Sequence, residues 1–368
     1  MKMLEAKRDE ILRPLQAVTG IVERRHTLPI LSNVLIERAG QQLQLVATDL
    51  EIQVTAQFAL ADKAAGDQKV TVSARKLVDI LRSLPEDTAV GLDAQSNKVQ
   101  VKAGKSRFSL QSLPAEDFPR LAEAPGAATY RLSQARLRDL LLLVQYAMAQ
   151  QDIRYYLNGM LLVIEDGQLK AVATDGHRLA YAAEAIGETG ERQEVILPRK
   201  AVLELVKLLG DTDDEVAVQV GANQVRFQFG GISLVSKVVD GKFPDYGRVI
   251  PVNYKKEFGV ERQRLQQALQ RVAILSNEKF RGVRWMLTAD SLRISCTNTE
   301  QEEATEELEI AYPGEALDIG FNVTYLLDVL NNIASDEVKC SFGDANSSVL
   351  ITIAERPEFR YVVMPMRI

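Results

Sequence analysis

A chain of 368 residues, 46% hydrophobic and carrying a net charge of −6, has the material for two to three globular domains, and its acidity excludes a simple basic nucleic-acid module. Its longest apolar run, residues 140–144, is far too short to span a membrane, and charges stand in MKMLEAKRDE where a signal peptide needs apolar residues; the expectation is a cytoplasmic protein without membrane partners. Cys296 and Cys340 lack any ligand spacing and read as buried reduced thiols; with only two histidines, no Walker loop and no GxGxxG, the sequence offers no metal, cofactor or catalytic residue set.

In chain order, the first predicted element is an amphipathic helix over residues 5–22, with apolar residues at i, i+3, i+4 and i+7. ERRH follows at 23–26, where Arg24 and Arg25 on a loop can pair with phosphates, while His26 has no partner at metal-ligand spacing. VATDLE (46–51) comes directly after an apolar strand. VTVSARKLVDILRSL (70–84) is a strand running into a helix that starts with Arg75 and Lys76, where a helix N-terminus favours anions.

A second helix of the first kind spans 131–149. QDIRYYLNGM (151–160) then places Arg154, Tyr155 and Tyr156 ahead of a turn. Alternation along a strand buries one tyrosine and exposes the other, giving either a core aromatic with a surface companion or a patch that meets a sugar-phosphate backbone. ATDGHRLA (173–180) sets Asp175 and His177 on one face of an extended segment, yet no nucleophile elbow accompanies them, and Asp49 recurs at the same place in the earlier VATDLE. Asp175 therefore reads as a turn residue. VILPRKAVLELVKLL (195–209) repeats the strand and helix, with Arg199 and Lys200 at the helix start.

The last third repeats these elements: a helix over 261–275, SCTNTE (295–300), and a strand and helix in IGFNVTYLLDVLNNI (319–333), here with Asn322 and Val323 in place of the basic pair. Ile274 and Leu275 close their helix as core or interface residues. The acidic run EQEEATEELE (300–309) reads as a solvated edge able to meet Lys105 and Arg107 of another copy. YVVMPMRI (361–368) is either a final core strand or an apolar, methionine-rich surface for docking peptides.

The repeat spacing is regular: 126 residues from Asp49 to Asp175 and 123 from Asp175 to Asn298. It predicts an α+β chain of three like domains, 1–124, 125–250 and 251–368, each with two helices and antiparallel sheets. The six helical windows sum to +7, which leaves −13 for everything else. Basic helices sharing one side suit a polyanion. If like domains join edge to edge and the two ends are complementary, head-to-tail contacts close into a ring with helices inside.

TLPILSN, QDIRYYLNGM, ATDGHRLA, ILSNEKFRGVR, GFNVTYLLDVLN and YVVMPMRI, in this order along the whole chain, resemble the bacterial sliding-clamp family, the β subunit of DNA polymerase III. The resemblance implies a non-catalytic processivity factor without cofactors: a homodimer ring around duplex DNA, opened by a clamp loader. It implies tethering of the polymerase III α subunit, translesion polymerases, ligase and mismatch-repair proteins through short peptide motifs. It assigns DNA contact to Arg25, Arg75, Gln151, Tyr155 and Tyr156. The partner cleft it implies comprises Leu157, Thr174, Gly176, His177, Arg178, Leu179, Pro244, Arg248, Val249, Ser348, Val362, Val363, Met364, Pro365, Met366 and Arg367. The dimer seam sets Ile274 and Leu275 against Phe108 and Leu110, and Lys105 and Arg107 against Glu302, Glu303 and Glu306. Two other readings compete: a peptide-binding scaffold that never encircles DNA, and a hydrolase using Asp175 and His177.

Overall fold

The computed structural model describes residues 2–23, 28–61, 67–95, 97–122, 128–187 and 191–368. The first repeat runs β1 (Lys2–Lys7), α1 (Arg8–Thr19), β2 (Asn33–Ala39), β3 (Gln42–Thr48), β4 (Ile52–Ala59), β5 (Gln68–Ser73), α2 (Ala74–Ser83), β6 (Ala89–Gln95), β7 (Lys98–Ala103) and β8 (Ser106–Gln111). The second follows the same order: β9 (Ala128–Ser133), α3 (Gln134–Leu142), β10 (Gly159–Glu165), β11 (Gln168–Thr174), β12 (Arg178–Ala185), β13 (Gln193–Pro198), α4 (Arg199–Leu208), β14 (Glu215–Val220), β15 (Gln224–Phe229) and β16 (Ile232–Lys237). So does the third: β17 (Lys256–Glu261), α5 (Arg262–Ala273), β18 (Gly282–Leu287), β19 (Ser291–Thr297), β20 (Glu303–Glu309), β21 (Leu317–Asn322), α6 (Val323–Asn332), β22 (Glu337–Phe342), β23 (Val349–Thr352) and β24 (Arg360–Val363).

The first helix of each repeat is shorter than its apolar periodicity suggests. Residues ahead of it are drawn into a strand: Glu5 lies opposite Gly91 in the β1–β6 pair, Arg131 opposite Ala217, and Glu261 opposite Glu337. Ladder bonds to a distant strand override local helical preference there. α1 then buries Ile11, Leu12, Leu15 and Val18, and its first turn is closed by the Lys7 amide donating to Glu10 Oε2 at 3.0 Å. α3 stops at Leu142, ahead of a short 3-10 turn at Gln145–Ala147, well before the expected end at 149.

The chain divides into two compact units, residues 1–135 with 203–238 and residues 136–202 with 239–368. The first holds a four-stranded sheet, β1-β6-β7-β8, and an eight-stranded one, β5-β2-β3-β4-β16-β15-β14-β9. The second holds β20-β19-β18-β21 and the eight-stranded β13-β10-β11-β12-β24-β23-β22-β17. Each eight-stranded sheet is two halves from consecutive repeats, joined through one antiparallel pair, β4 with β16 or β12 with β24.

The two joins share one register. Val54 faces Leu234 in the first, and Ala180 faces Tyr361 in the second. These are equivalent positions, because Val54 and Ala180 oppose Ala47 and Ala173, each two residues before the repeated Asp, while Leu234 and Tyr361 oppose Phe227 and Ile351. Among the described residues, β8 and β20 each have a neighbour on one side only.

The repeated ATD-type stretch is an Asx turn in all three copies. Asp49 Oδ1 accepts from the amides of Glu51 (3.0 Å) and Ile52 (2.7 Å), and Asp175 Oδ1 from those of His177 (2.9 Å) and Arg178 (3.1 Å). Asn298 Oδ1 accepts from Glu300 (2.9 Å) and Glu302 (3.0 Å), one residue wider. The chain end YVVMPMRI is part buried strand and part surface. Residues 360–363 are β24, with Tyr361, Val362 and Val363 buried, whereas Met364 and Ile368 are exposed. The Met366 amide donates to Gly320 O at 2.8 Å, an approach that only glycine allows, since a Cβ there would meet Met366 O at 2.5 Å. Both cysteines are buried and free; burial pushes the Cys340 thiol up to about 12.

Candidate functional site

The second unit brings three segments that are distant in sequence onto one apolar cluster. Leu157, Leu179 and Val362 join Ala149, Leu161, Val163, Val172, Ile196 and Phe243 in one buried apolar cluster. Phe243 roots the loop carrying Pro244, Arg248 and Val249, and Tyr246 and Ile250 of that loop pack on the same cluster. Pro244, Arg248 and Val249 stay exposed, with Arg248 Nε 3.0 Å from Asp245. Ser348 is half-buried, its hydroxyl 3.5 Å from that of Tyr254. Leu350 packs against the cluster.

The turn 174–178 lies between Val172 and Leu179 of this cluster. Thr174 Oγ1 donates to Arg178 O at 2.6 Å and accepts from the Gly176 amide at 3.1 Å, while Gly176 holds φ at +90°. His177 is exposed; its ring stacks at 6.4 Å on Tyr325 and its carbonyl accepts from the Met364 amide at 2.9 Å. Met364 is 46% exposed beside this turn. Pro365 and Met366 are half-buried and Arg367 is exposed.

Arg178 is a structural hub within this turn. Its guanidinium binds Asp175 Oδ2 (3.1 Å), Asp328 and the Tyr146 carbonyl (2.7 Å), and lies 4.6 Å from the Tyr325 ring centroid. Burial works to lower its pKa, but Tyr361, Asp328 and Asp175 outweigh that and hold it above its ordinary value. Burial pushes the Tyr361 and Tyr146 hydroxyls up. Asp175 is thereby committed to two amides and a guanidinium, so the Asp175–His177 spacing produces a turn and not an acid–base pair. Tyr146, Tyr325, Asp328, Phe243 and Tyr246 are participants that pattern reading missed. Only the FPDY sequence of residues 243–246, a lone aromatic run in a loop, carried a signal.

QDIRYYLNGM forms a closed loop, not the expected alternating strand. The Ala149 amide donates to Leu157 O (3.0 Å), the Asp152 amide to Asn158 Oδ1 (2.9 Å), and Asn158 Nδ2 to Asp152 O (2.8 Å). Tyr155 and Tyr156 sit in the 3-10 turn Tyr155–Leu157; Tyr155 is 56% exposed, and Tyr156 packs on the same buried cluster. Gln151 is exposed with φ at +57°. Arg75 is exposed in the first turn of α2 in the other unit, 3.8 Å from Asp79. Arg25, with Arg24 and His26, lies outside the described residues.

The predicted seam residues fall on or beside two of the sheet-end strands, β8 and β20, and at the end of α5. Lys105 and Arg107 are exposed at the start of β8, Phe108 is half-buried and Leu110 buried. Just past α5, Ile274 is 78% exposed and Leu275 half-buried. Glu302 and Glu303 are exposed, whereas Glu306 is already held by Arg271 of the same chain through two bonds of 2.6 and 2.8 Å. Among the described residues, no group of three His, Cys, Asp or Glu could hold a metal ion, and no helix is long and apolar enough to cross a membrane.

Three family models match the chain in succession: the N-terminal (1–122), central (131–245) and C-terminal (247–367) domains of the DNA polymerase III beta subunit. The beta sliding clamp of Pseudomonas aeruginosa is 49% identical over 363 residues, covering 98% of this chain and 99% of its own. That of Escherichia coli K12 is 45% identical over 362 residues, with the same coverage. A crystal structure of the P. aeruginosa DNA polymerase III subunit beta superposes with a TM-score of 0.96 at 49% identity, covering both chains completely.

Proposed function

The chain belongs to the DNA polymerase III beta subunit family, and on that footing we propose that two copies close head to tail around duplex DNA as a sliding clamp that tethers replication and repair proteins. Three domains, 1–124, 125–250 and 251–368, are the repeating bodies, and the clamp catalyses nothing and needs no cofactor. It acts in the cytoplasm, opened by a clamp loader.

The observation that carries this reading is the repeated join. β4 pairs with β16 and β12 with β24 in the same register, leaving β20, the third strand of that series, and β8, the counterpart of β16 and β24. Extending the register to a second copy sets Phe108 opposite Ala304, Arg107 opposite Thr305 and Lys105 opposite Glu307. On this alignment Arg107 lies diagonally between Glu303 and Glu307, while Phe108 and Leu110 share a face with Ala304 and point toward the level of Ile274 and Leu275. The acidic partners of Lys105 and Arg107 on the outer face are then Glu303 and Glu307, and Glu306 keeps its own Arg271. Such a contact uses different surfaces on the two copies, so it closes only if the rotation per copy allows.

Arg25, Arg75, Gln151, Tyr155 and Tyr156 touch DNA without reading its sequence, since a topological link needs only a loose grip. The pocket around Leu157, Thr174, Gly176–Leu179, Pro244, Arg248, Val249, Ser348 and Val362–Arg367 takes short apolar peptide motifs of the polymerase III α subunit, translesion polymerases, ligase and mismatch-repair proteins. Its buried aliphatic floor beside an exposed methionine is the chemistry that supports this.

The test is retention on DNA. The protein is loaded onto nicked circular DNA by a clamp loader with ATP and gel-filtered before and after one restriction cut. Release by the cut is the expected result. Protein that stays on linear DNA with unblocked ends is held by contacts alone, and the ring reading falls.

A further inference from the structure

Arg154 stands in the QDIRYYLNGM loop yet belongs to neither set of proposed contacts, and its side chain turns away from the exposed tip. Its neighbours Ile153 and Tyr155 point outward, Ile153 at 96% exposure, whereas the guanidinium folds back. Its Nε and Nη2 bind Asp152 Oδ1 (3.0 Å) and Oδ2 (2.8 Å), and Nη2 also donates to the Asp175 carbonyl at 3.2 Å. A Cβ built on Gly176 would lie 3.0 Å from Nη1 and 3.1 Å from Nη2, so the guanidinium rests directly on that glycine. The same turn continues to His177, whose carbonyl holds the Met364 amide.

A short relay of contacts therefore runs from the loop tip through Arg154 to residues 175 and 176, then to His177 and Met364. The loop is braced by its own hydrogen bonds, from Asp152 to Asn158 and from Ala149 to Leu157, so a load at the tip has few other outlets. The weak link is the bond to the Asp175 carbonyl. A neutral acceptor at 3.2 Å loses to a phosphate oxygen, which makes a shorter, charge-assisted bond with an arginine fork.

We propose that Arg154 is a positioning residue shared by the two sites: a phosphate at the loop tip draws its guanidinium off the Asp175 carbonyl and Gly176, and this shift repositions His177 and Met364 at the peptide pocket. The inference rests on the clamp reading above, because it takes DNA as the source of the phosphate. It makes DNA and peptide binding reciprocally linked, with the same factor in both directions.

The experiment uses the full-length protein with 13C-methyl-labelled methionine. The Met364 signal is identified by its loss in Met364→Leu, and a short duplex oligonucleotide with a single-stranded overhang is added while binding is followed by anisotropy of a dye on the DNA. The expected result is a shift of the Met364 signal on DNA binding that disappears in Arg154→Ala and in Arg154→Lys. The lysine variant keeps the charge toward DNA but cannot reproduce the two-pronged contact, and each variant is brought to DNA saturation by anisotropy before the Met364 signal is read. Bound DNA with an unmoved Met364 signal, or a shift that survives both substitutions, overturns the inference and leaves the clamp reading standing. If the duplex fails to bind at all, DNA contact at this loop is refuted and the inference goes with it.

Discussion

The turn after β3 and the turn after β11 have the same backbone and opposite chemistry. Both are Asx turns, both hold the following residue at positive φ (+77° at Leu50, +90° at Gly176), and both receive an amide from the neighbouring repeat. The Lys237 amide donates to Glu51 O at 2.9 Å, as the Met364 amide does to His177 O. Around the first turn stand an exposed Glu51–Lys237 ion pair and the buried apolar Ile52. Around the second stand a stacked histidine, an exposed methionine and Arg178 where Ile52 was. The join needs only what the two share. Everything added in the second copy is therefore a candidate for binding, and the first copy serves as its built-in control.

The comparison is broken most severely at the third site of the series, where the proposed join falls between molecules. Replacing both Ile274 and Leu275 by alanine removes apolar burial of about 3–6 kcal/mol if the seam is as proposed, and light scattering should report monomers; a mass equal to the wild-type dimer would sink the seam. Next comes Arg178→Met. It strands Asp328 and the Tyr146 carbonyl and should cost about 3–5 kcal/mol in urea unfolding. A cost below 1 kcal/mol would demote Arg178 from hub to bystander.

Met364→Ala should weaken an apolar peptide by roughly tenfold or more, about 1.4 kcal/mol, with the fold intact. Unchanged affinity by calorimetry would refute the pocket. Exchanging the residues at the positive-φ position sharpens the contrast further. Gly176→Leu meets both backbone strain and the Arg154 guanidinium and should lose about 2–3 kcal/mol, whereas Leu50→Gly at the same angle should change stability by less than about 1 kcal/mol. The smallest effect is expected from Lys237→Met, which breaks an exposed ion pair worth less than about 1 kcal/mol and should bind no peptide; gain of peptide binding there would show that the backbone alone makes the pocket.

Much of this architecture was legible because its periodicities are long and repeated. The three Asx turns followed from the recurring Asp or Asn, and α2, α4 and α6 from strand-to-helix runs with apolar spacing. β1, β9 and β17 were hidden, since residues such as Glu5 and Arg131 continue a helical pattern and reveal their pairing only when a distant strand supplies the ladder. Arg178 was legible as a residue of interest but not as a buried hub. Its partners Tyr146, Asp328 and Tyr325 lie 32 or more positions away, and nothing local announces that a guanidinium will be enclosed by them. The closed loop at 151–158 is not legible from alternation, because Asn158 braces it through a side chain, which a period of two cannot register.

The sheet-end strands β8 and β20 are also a hazard, because an unpaired edge is a template for any passing strand. Here the guard is built from sign. β20 carries Glu303, Glu307 and Glu309 along its exposed face, so two such edges brought together would set acid against acid; Lys105 and Arg107 do the same at β8 with positive charge. Only the unlike pair escapes the penalty. Because the screening length is about 8 Å at physiological salt and about 3 Å at 1 M, this discrimination fades with ionic strength, and a concentrated brine is the condition in which mispaired assemblies should surface.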